Sequence, residues 1–182
     1  MRRWQVERAD TLFDHRLFRL ERHRLVADAS SREALVLQAP DWVNVIALLP
    51  DSSVVFVRQW RFGLAAVTLE IPGGMVDAGE APIDAAAREL VEETGYRAGT
   101  IELLGEVHPN PAFISNRCIS YLARDLEWTG EPQGDGEEEL TVETAPLAAV
   151  PDLVARGVIT HSLVISAFYH LMLRERAAGG GG

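Results

Sequence analysis

Cysteine and long apolar runs are what this chain most clearly lacks. Cys118 is the only cysteine in 182 residues, so no disulfide can form within the chain and a reducing compartment is favoured. We expect this cysteine to be a core residue rather than a reactive one. No apolar run is long enough to cross a membrane, and no signal peptide is visible. The sequence therefore predicts a cytoplasmic protein with no membrane partner.

Basic residues are also scarce relative to acidic ones. The chain has 17 basic and 27 acidic residues, which gives a net charge of −10. Such a charge makes nucleic acid an unlikely partner and disfavours binding to an anionic membrane. A protein of this kind that acts on phosphates must use metal ions or a local basic cluster. Its length and its 47% hydrophobic content predict one ordinary globular domain, with or without a small extension.

One segment dominates the rest of the sequence. Residues 74–96 read GMVDAGEAPIDAAARELVEETGY, a pattern of the form G-x5-E-x7-R-E-L-x-E-E-x-G-Y. Its fixed positions are Gly74, Glu80, Arg88, Glu89, Glu92, Glu93 and Gly95. Pro82 suits a first helical turn and Gly95 a left-handed helix end, so the segment predicts a helix over residues 82–94.

Three carboxylates share one face of that helix. Glu89, Glu92 and Glu93 are three or four residues apart, and their like charges are unfavourable in an isolated helix. Mg²⁺ or Mn²⁺ relieves this repulsion, because hard cations prefer carboxylate oxygens and keep waters that can become nucleophiles. On this spacing alone a solvated acidic face is the stronger interpretation, and only the complete pattern around the three carboxylates favours a cation site.

The complete pattern resembles the signature of the Nudix hydrolases, which split a nucleoside diphosphate linked to another moiety. The resemblance implies an α/β fold, the α/β/α sandwich with a mixed sheet, and dependence on Mg²⁺, for which Mn²⁺ can substitute. It implies a direct metal ligand at Glu89 and at Glu93, a ligand or outer-shell partner at Glu92, and a further ligand in the Gly73 carbonyl. Arg88 is expected to hold a glutamate of the helix in place, and Glu80 to be a supporting carboxylate.

Flanking residues resemble one branch of the family, the ADP-ribose and nucleotide-sugar pyrophosphatases. Val57–Arg61 and Leu69–Gly74 are similar to its "QYR … ELPAG" stretch, and Pro111 lies 15 residues after Tyr96, where that branch has a proline. The implied reaction is hydrolysis of the pyrophosphate bond of a nucleoside-diphosphate sugar to a nucleoside monophosphate and a sugar phosphate. The alternatives are a nucleoside triphosphate or RNA 5′-end pyrophosphohydrolase and a non-catalytic nucleotide sensor.

Two further groups complete the candidate site. The resemblance places the general base in an acidic loop after the signature, which here contains Glu137, Glu138 and Glu139, with Glu138 favoured. The candidates for substrate binding are Arg61 for the phosphates, Trp60 and Trp42 for stacking on the base, and Pro111. For each tryptophan, a place in the hydrophobic core is the competing interpretation.

The chain divides into three parts. Residues 1–40 are expected to be an antiparallel β extension with possible dimer contacts, residues 41–176 the Nudix domain, and residues 177–182 a flexible tail. Apolar runs predict a hairpin over residues 42–59 and strands over 67–71, 101–107, 118–123 and 140–143. Helical segments are expected over 146–156 and 161–176. Relatives of this branch commonly form dimers through crossing N-terminal strands, which implies a homodimer here.

Overall fold

The computed structural model describes residues 1–130, 132 and 139–179. Its strands are β1 (Gln5–His15), β2 (Phe18–Ala27), β3 (Ser30–Gln38), β4 (Trp42–Leu48), β5 (Ser53–Arg61), β6 (Ala66–Glu70), β7 (Tyr96–Val107), β8 (Cys118–Trp128) and β9 (Thr141–Pro146). Its helices are α1 (Pro82–Thr94), α2 (Val150–Ala155) and α3 (Ser162–Gly179), and a short 3-10 turn (Leu147–Ala149) precedes α2.

A mixed six-stranded sheet carries the main domain. Its order is β6-β5-β4-β8-β7, and β9 pairs with β5. β4 and β8 are parallel, whereas β4–β5, β5–β6, β5–β9 and β7–β8 are antiparallel. β4 is covered on both faces, which explains why nearly all of its residues are apolar. The predicted hairpin is the antiparallel pair β4–β5.

Two separate hydrophobic cores lie on the two faces of this sheet. On one face α2 and α3 pack through Val150, Val164, Ala167 and Leu171 against strand residues such as Ile46 and Phe56. On the other face α1 packs through Ala85, Ala86 and Leu90 against strand residues such as Val45, Val55 and Tyr121. Helices therefore cover both faces, and the predicted α/β/α sandwich with a mixed sheet is confirmed.

A separate three-stranded antiparallel sheet, in the order β1-β2-β3, precedes the main domain. It is joined to that domain at Leu37, whose N–H donates to the Phe113 carbonyl at 2.7 Å and whose carbonyl accepts from the Ser115 N–H at 3.1 Å. The region expected to be an antiparallel extension has this form. Its contribution to a dimer stays a prediction.

Three differences between the structure and the sequence-based expectations concern β1, β7 and α3. The sequence does not predict β1, because its side chains are almost all exposed and give no buried face to recognise. β7 begins at Tyr96, directly after α1, rather than at residue 101. α3 continues to Gly179, so the first residues of the expected flexible tail, 177–179, are helical.

Burial of the single cysteine agrees with its composition-based interpretation. Cys118 lies at the start of β8 as a buried free thiol, and burial raises its pKa to about 12. A thiol in this environment is inert. Among the described residues, no helix is long and apolar enough to cross a membrane.

Candidate active site

α1 carries most of the candidate site, and its sequence explains both of its ends. Pro82 occupies the first helical turn, where its missing N–H costs nothing. Gly95 ends the helix with φ 73°, a left-handed conformation that favours glycine, and donates its N–H to the Val91 carbonyl at 2.9 Å. Leu90 and its apolar neighbours bury one face of α1. The acidic residues therefore lie on another face, beside the loop that precedes the helix.

That preceding loop brings Gly73 to the end of the helix. It runs along β4, where the Val45 N–H donates to the Pro72 carbonyl at 2.8 Å and the Val43 N–H to the Gly74 carbonyl at 2.9 Å. A Cβ at Gly73 would lie 2.1 Å from the Val43 carbonyl oxygen, so only glycine allows this approach. Backbone alternation turns the polar groups of Gly73 away from β4.

The result is a direct contact between Gly73 and Glu93. The Gly73 N–H donates to Glu93 Oε2 at 2.9 Å, and Glu93 is only 6% exposed. The structure thus brings together two of the predicted metal-site residues. The helix face around Glu93 is therefore partly buried. A solvated face would leave this carboxylate exposed.

Glu89 lies against the next glycine. A Cβ at Gly74 would lie 2.4 Å from Glu89 Oε1, so the absence of a side chain at Gly74 makes the space for this carboxylate. Burial raises the pKa of Glu89 above its ordinary value, although the adjacent Arg88 guanidinium opposes the shift. A carboxylate held in this way gains from a nearby cation.

Arg88 lies between three carboxylates. Its Nε and Nη2 donate to the two Glu80 oxygens at 3.0 Å each, and its Nη1 donates to Glu89 at 2.8 Å and to Glu92 at 3.2 Å. Nη2 also donates to the Met75 carbonyl at 3.1 Å. The Glu80 hydrogen bonds, followed by those to Glu89, raise the pKa of Arg88 above its ordinary value despite burial. Arg88 therefore fixes the acidic residues relative to the loop.

The donor set suits a hard divalent cation that keeps part of its hydration. The carboxylate oxygens of Glu89 and Glu93 are ligands of the kind that Mg²⁺ takes, and a backbone carbonyl such as that of Gly73 is another. In the described part of the chain no three Asp, Glu, His or Cys side chains converge as a complete cage. Mg²⁺ is usually bound by one or two carboxylates with waters and substrate phosphates, so two carboxylates are sufficient.

Arg61 is held in a second polar cluster. Its Nε and Nη2 donate to the two oxygens of Glu70 at 2.9 Å each, and the Thr68 hydroxyl donates to Glu70 Oε1 at 2.7 Å. His161 Nδ1, at the start of α3, lies 2.8 Å from Glu70 Oε2. Burial alone would raise the pKa of Glu70, but the contacts from His161, Arg61 and Thr68 outweigh it and hold that pKa well below its ordinary value.

The other candidate substrate residues lie in three different parts of the fold. Trp60 is 51% exposed and directly precedes Arg61 in β5, so the two side chains point to opposite faces of the sheet. Trp42 is half-buried and pairs with Met75 beside the glycine loop. Pro111 is exposed in the loop that bonds to β3. The stacking and binding roles of these three residues stay predictions.

The structure describes only one of the three residues that were predicted as candidates for the general base. Glu137 and Glu138 lie outside the described residues, and Glu139 is an exposed residue two positions before β9. The choice among the three therefore stays a prediction.

Sequence reasoning missed Glu70 and His161 as partners of Arg61. Glu70 stands in the quoted Leu69–Gly74 stretch, whereas nothing in the local sequence around His161 signals a role.

Comparison with known proteins decides the family. Residues 40–168 match the NUDIX domain. The chain belongs to the Nudix family. It is 34% identical over 126 residues to the ADP-ribose pyrophosphatase of Mycobacterium tuberculosis (strain ATCC 25618 / H37Rv), which is 68% of this chain and 61% of that protein. It is 30% identical over 148 residues to the ADP-ribose pyrophosphatase of Bacillus subtilis (strain 168), which is 81% of this chain and 79% of that protein.

A third relative and a solved structure extend the similarity of this Nudix chain over nearly its whole length. It is 27% identical over 174 residues to the ADP compounds hydrolase NudE of Escherichia coli (strain K12), covering 94% of this chain and 92% of that protein. A crystal structure of ADP compounds hydrolase matches 100% of this chain and 97% of its own with a TM-score of 0.84 and 25% identity. The predicted family and pyrophosphohydrolase class are confirmed. Nudix hydrolases generally use divalent metal ions.

Proposed function

We propose that this Nudix chain hydrolyses the pyrophosphate bond of a nucleoside-diphosphate sugar of the ADP-ribose type, giving a nucleoside monophosphate and a sugar phosphate. The observation that carries the proposal is the pairing of two carboxylates, the buried Glu93 and the half-buried Glu89, with the glycine loop at Gly73 and Gly74. Similarity to ADP-ribose pyrophosphatases and to an ADP compounds hydrolase supports the substrate class.

The proposed cation is Mg²⁺, with Mn²⁺ as a substitute, held by Glu89, Glu93 and the Gly73 carbonyl, with Glu92 as ligand or outer-shell partner. When bound, the divalent ion neutralises pyrophosphate oxygens and lowers the pKa of a coordinated water. Arg88 keeps the helix carboxylates oriented through its contacts with Glu80, Glu89 and Glu92. The two carboxylates and the glycine backbone supply the oxygen chemistry that this ion prefers.

The chain's own residues then have separate tasks in the reaction. Arg61 pairs with substrate phosphate oxygens, for which a planar guanidinium is suited. The water oxygen bonds to one phosphorus, and the anhydride P–O bond breaks with its electron pair leaving on the other phosphate. A carboxylate of residues 137–139 receives the water proton, and Glu138 remains our first candidate. Trp60, Trp42 and Pro111 are candidates for contact with the rest of the nucleotide.

The proposal includes a homodimer and a cytoplasmic location. The homodimer is supported by the apolar side chains that the N-terminal sheet exposes, among them Val6, Phe13 and Leu35. The location is supported by the buried free thiol of Cys118 in a chain with no other cysteine.

A substrate panel tests the proposed activity. The purified full chain is incubated with ADP-ribose, ADP-glucose, GDP-mannose, UDP-glucose, nucleoside triphosphates or triphosphorylated RNA, with Mg²⁺, with Mn²⁺ or with a chelator. A coupled phosphatase reports phosphate release, and chromatography identifies the nucleotide product. We expect selective cleavage of a diphosphate sugar to a monophosphate that chelation abolishes. Preference for triphosphates or RNA would replace the proposed substrate, and binding without turnover would favour the sensor.

One variant pair tests the metal assignment in the same assay. Glu93→Gln keeps an oxygen that can accept the Gly73 N–H but removes the negative charge. We expect turnover to fall at least about 100-fold, on the scale of a lost transition-state electrostatic interaction, with a melting temperature close to that of the parent. Glu175→Gln, an exposed glutamate on α3, is the matched control and should keep full activity. Equal activity of both variants would reject Glu93 as a ligand.

A further inference from the structure

A buried carboxylate outside the Nudix signature collects donors from two layers of the fold. Glu70 ends β6 and is 3% exposed. Its Oε1 accepts from Arg61 Nε and from the Thr68 hydroxyl, and its Oε2 accepts from Arg61 Nη2. His161 Nδ1 lies 2.8 Å from that second oxygen. Oε1 therefore has two hydrogen-bond donors, whereas Oε2 has one donor and the close approach of the buried His161 Nδ1, which is not aligned for a hydrogen bond.

The geometry of this cluster fixes the orientation of the Arg61 guanidinium, which charge pairing alone would not require. Two parallel N–H···O bonds from Arg61 to Glu70 define the plane of the guanidinium. Pairing of β5 with β6 places Arg61, Thr68 and Glu70 on one face of the sheet. The same chain continues from Glu70 into Gly73, which binds Glu93. Glu70, which orients Arg61, therefore lies only three residues before Gly73 in the loop of the candidate metal site.

His161 reaches this cluster from the opposite layer. It immediately precedes α3, accepting the Ile165 N–H at 3.1 Å with its carbonyl, while α3 packs on the face of the sheet away from α1. β6 is the edge strand, so a side chain at the start of α3 can reach Glu70 around that edge. The Nδ1 atom is buried although about a third of the side chain stays exposed.

A purely structural role explains this arrangement poorly. Burial of a paired carboxylate adds little net stability compared with apolar residues of similar size, because its charge must be desolvated, and here the Arg61 side chain stays 40% exposed. A cluster with four contacts on one carboxylate mainly gives a single orientation to the groups it binds. The group that gains orientation here is Arg61, whose long side chain otherwise has rotamer entropy to lose when it binds.

We propose that His161 is a positioning residue that acts through Glu70 to hold the Arg61 guanidinium for the substrate phosphates. The proposal rests on the proposed function, since it assumes that Arg61 contacts those phosphates. His161 itself is not required to touch the substrate. The role belongs to the histidine Nδ1 atom, because that atom faces the carboxylate.

A double-mutant cycle on the full chain tests the dependence on Arg61. We expect His161→Ala to raise KM for ADP-ribose about 3- to 10-fold with kcat within about twofold, a size typical of a coupled contact. His161→Asn should restore KM, because the asparagine Nδ2 can occupy the position of the histidine Nδ1. In an Arg61→Ala background, His161→Ala should change KM by less than about twofold. Ser166→Ala, a hydroxyl on the same helix that bonds to the Ser162 carbonyl, is the control.

A second measurement does not depend on activity. The Arg61 Nε–H is observed by ¹⁵N NMR in the parent, His161→Ala, His161→Asn and Ser166→Ala proteins, with melting curves to confirm folding. We expect a resolved, slowly exchanging signal that broadens or exchanges faster only in His161→Ala. An unchanged signal in that variant overturns the proposal, as does an equal KM effect with and without Arg61. Absence of hydrolysis by the parent would reject the proposed function, while the NMR result would still decide the positioning of Arg61.

Discussion

Arg88 is the residue that lets one helix face hold so much negative charge. Like charges three and four residues apart destabilise a helix, yet α1 carries Glu89, Glu92 and Glu93. The Arg88 guanidinium contacts the first two of these and also Glu80 in the preceding loop. Glu93 is turned instead to the Gly73 N–H. Arg88 therefore offsets the charge of Glu89 and Glu92, while the backbone of Gly73 partners Glu93.

Gly74→Ala tests whether the space beside Glu89 matters. The added Cβ would lie 2.4 Å from Glu89 Oε1, so the carboxylate must move. We expect a loss of at least about tenfold in both kcat/KM and Mn²⁺ affinity, since small displacements of positioned groups are costly. Kinetics and a Mn²⁺ titration provide the measurement. Gly63→Ala adds a methyl group in open space and should change neither quantity. Equal behaviour of the two variants would show that Glu89 tolerates displacement.

Glu70→Gln tests the buried cluster through its pH dependence. The pKa of Glu70 is held well below its ordinary value of 4.5. Stability from the ionised form is therefore present above pH 4.5 and is lost as pH falls from there toward the lowered pKa. At pH 7 the substitution should cost about 1–3 kcal/mol, because Arg61 loses a charged partner. Below pH 4.5 the variant should lose less further stability than the parent does.

Urea unfolding at pH 7 and at acid pH measures both parts of this prediction. Glu143→Gln is the matched control, because Arg58 and Glu143 form the same two-bond geometry at 2.8 and 2.9 Å but are partly exposed. An exposed pair is worth about 0–1 kcal/mol, so this control should remain close to the parent. Parallel acid profiles for the parent and Glu70→Gln would show that Glu70 does not carry the effect.

At the scale of elements, the sequence predicted the buried helices and strands better than the exposed ones. α1 could be predicted to the residue, because Pro82, the glutamate spacing and Gly95 all indicate the same helix. β4 and β5 were visible as apolar runs because both of their faces are covered. β1 could not be predicted, since it pairs through its backbone and exposes nearly all its side chains. His161 was invisible for a related reason: its partner Glu70 is 91 positions away in sequence.

Gly95→Ala tests how α1 is connected to the end of β8. Thr129 donates both its N–H and its hydroxyl to the Gly95 carbonyl, at 2.8 and 2.9 Å. A Cβ at Gly95 would lie 1.9 Å from the Gly130 carbonyl oxygen, and φ is 73°. We expect a loss of about 3 kcal/mol in the free energy of unfolding, from left-handed strain of about 1 kcal/mol plus overpacking. Urea unfolding at pH 7 gives this value.

Gly157→Ala separates the two causes of that loss. Gly157 has φ 70° but open space around its Cβ position, so alanine there meets only the backbone strain. We expect a loss of about 1 kcal/mol for this control. If both variants lose the same amount, the contact between Gly95 and Gly130 adds no constraint, and the helix end is free to move relative to β8.

At the scale of the whole molecule, the two sheets are stabilised in different ways. The main sheet has a hydrophobic core on each face. The N-terminal sheet contributes no described residue to either core and exposes apolar side chains on two of its strands: Val6, Leu12 and Phe13 in β1 and Leu35 in β3. A small sheet gains its stability from a packed face, so a second copy of the chain is the partner that would supply one.

Leu35→Asp tests this expectation for the full chain. We expect the parent to sediment with twice its chain mass of 20.0 kDa at micromolar concentration. Leu35 is 55% exposed in β3, and an aspartate buried unpaired in an apolar interface costs several kcal/mol, so the variant should sediment as a monomer. Leu103→Asp makes the same change at a 61% exposed position of β7 in the main sheet and should remain dimeric. A monomeric parent, or a Leu35→Asp protein that stays dimeric, would remove the N-terminal sheet from the assembly and require another role for its exposed apolar side chains.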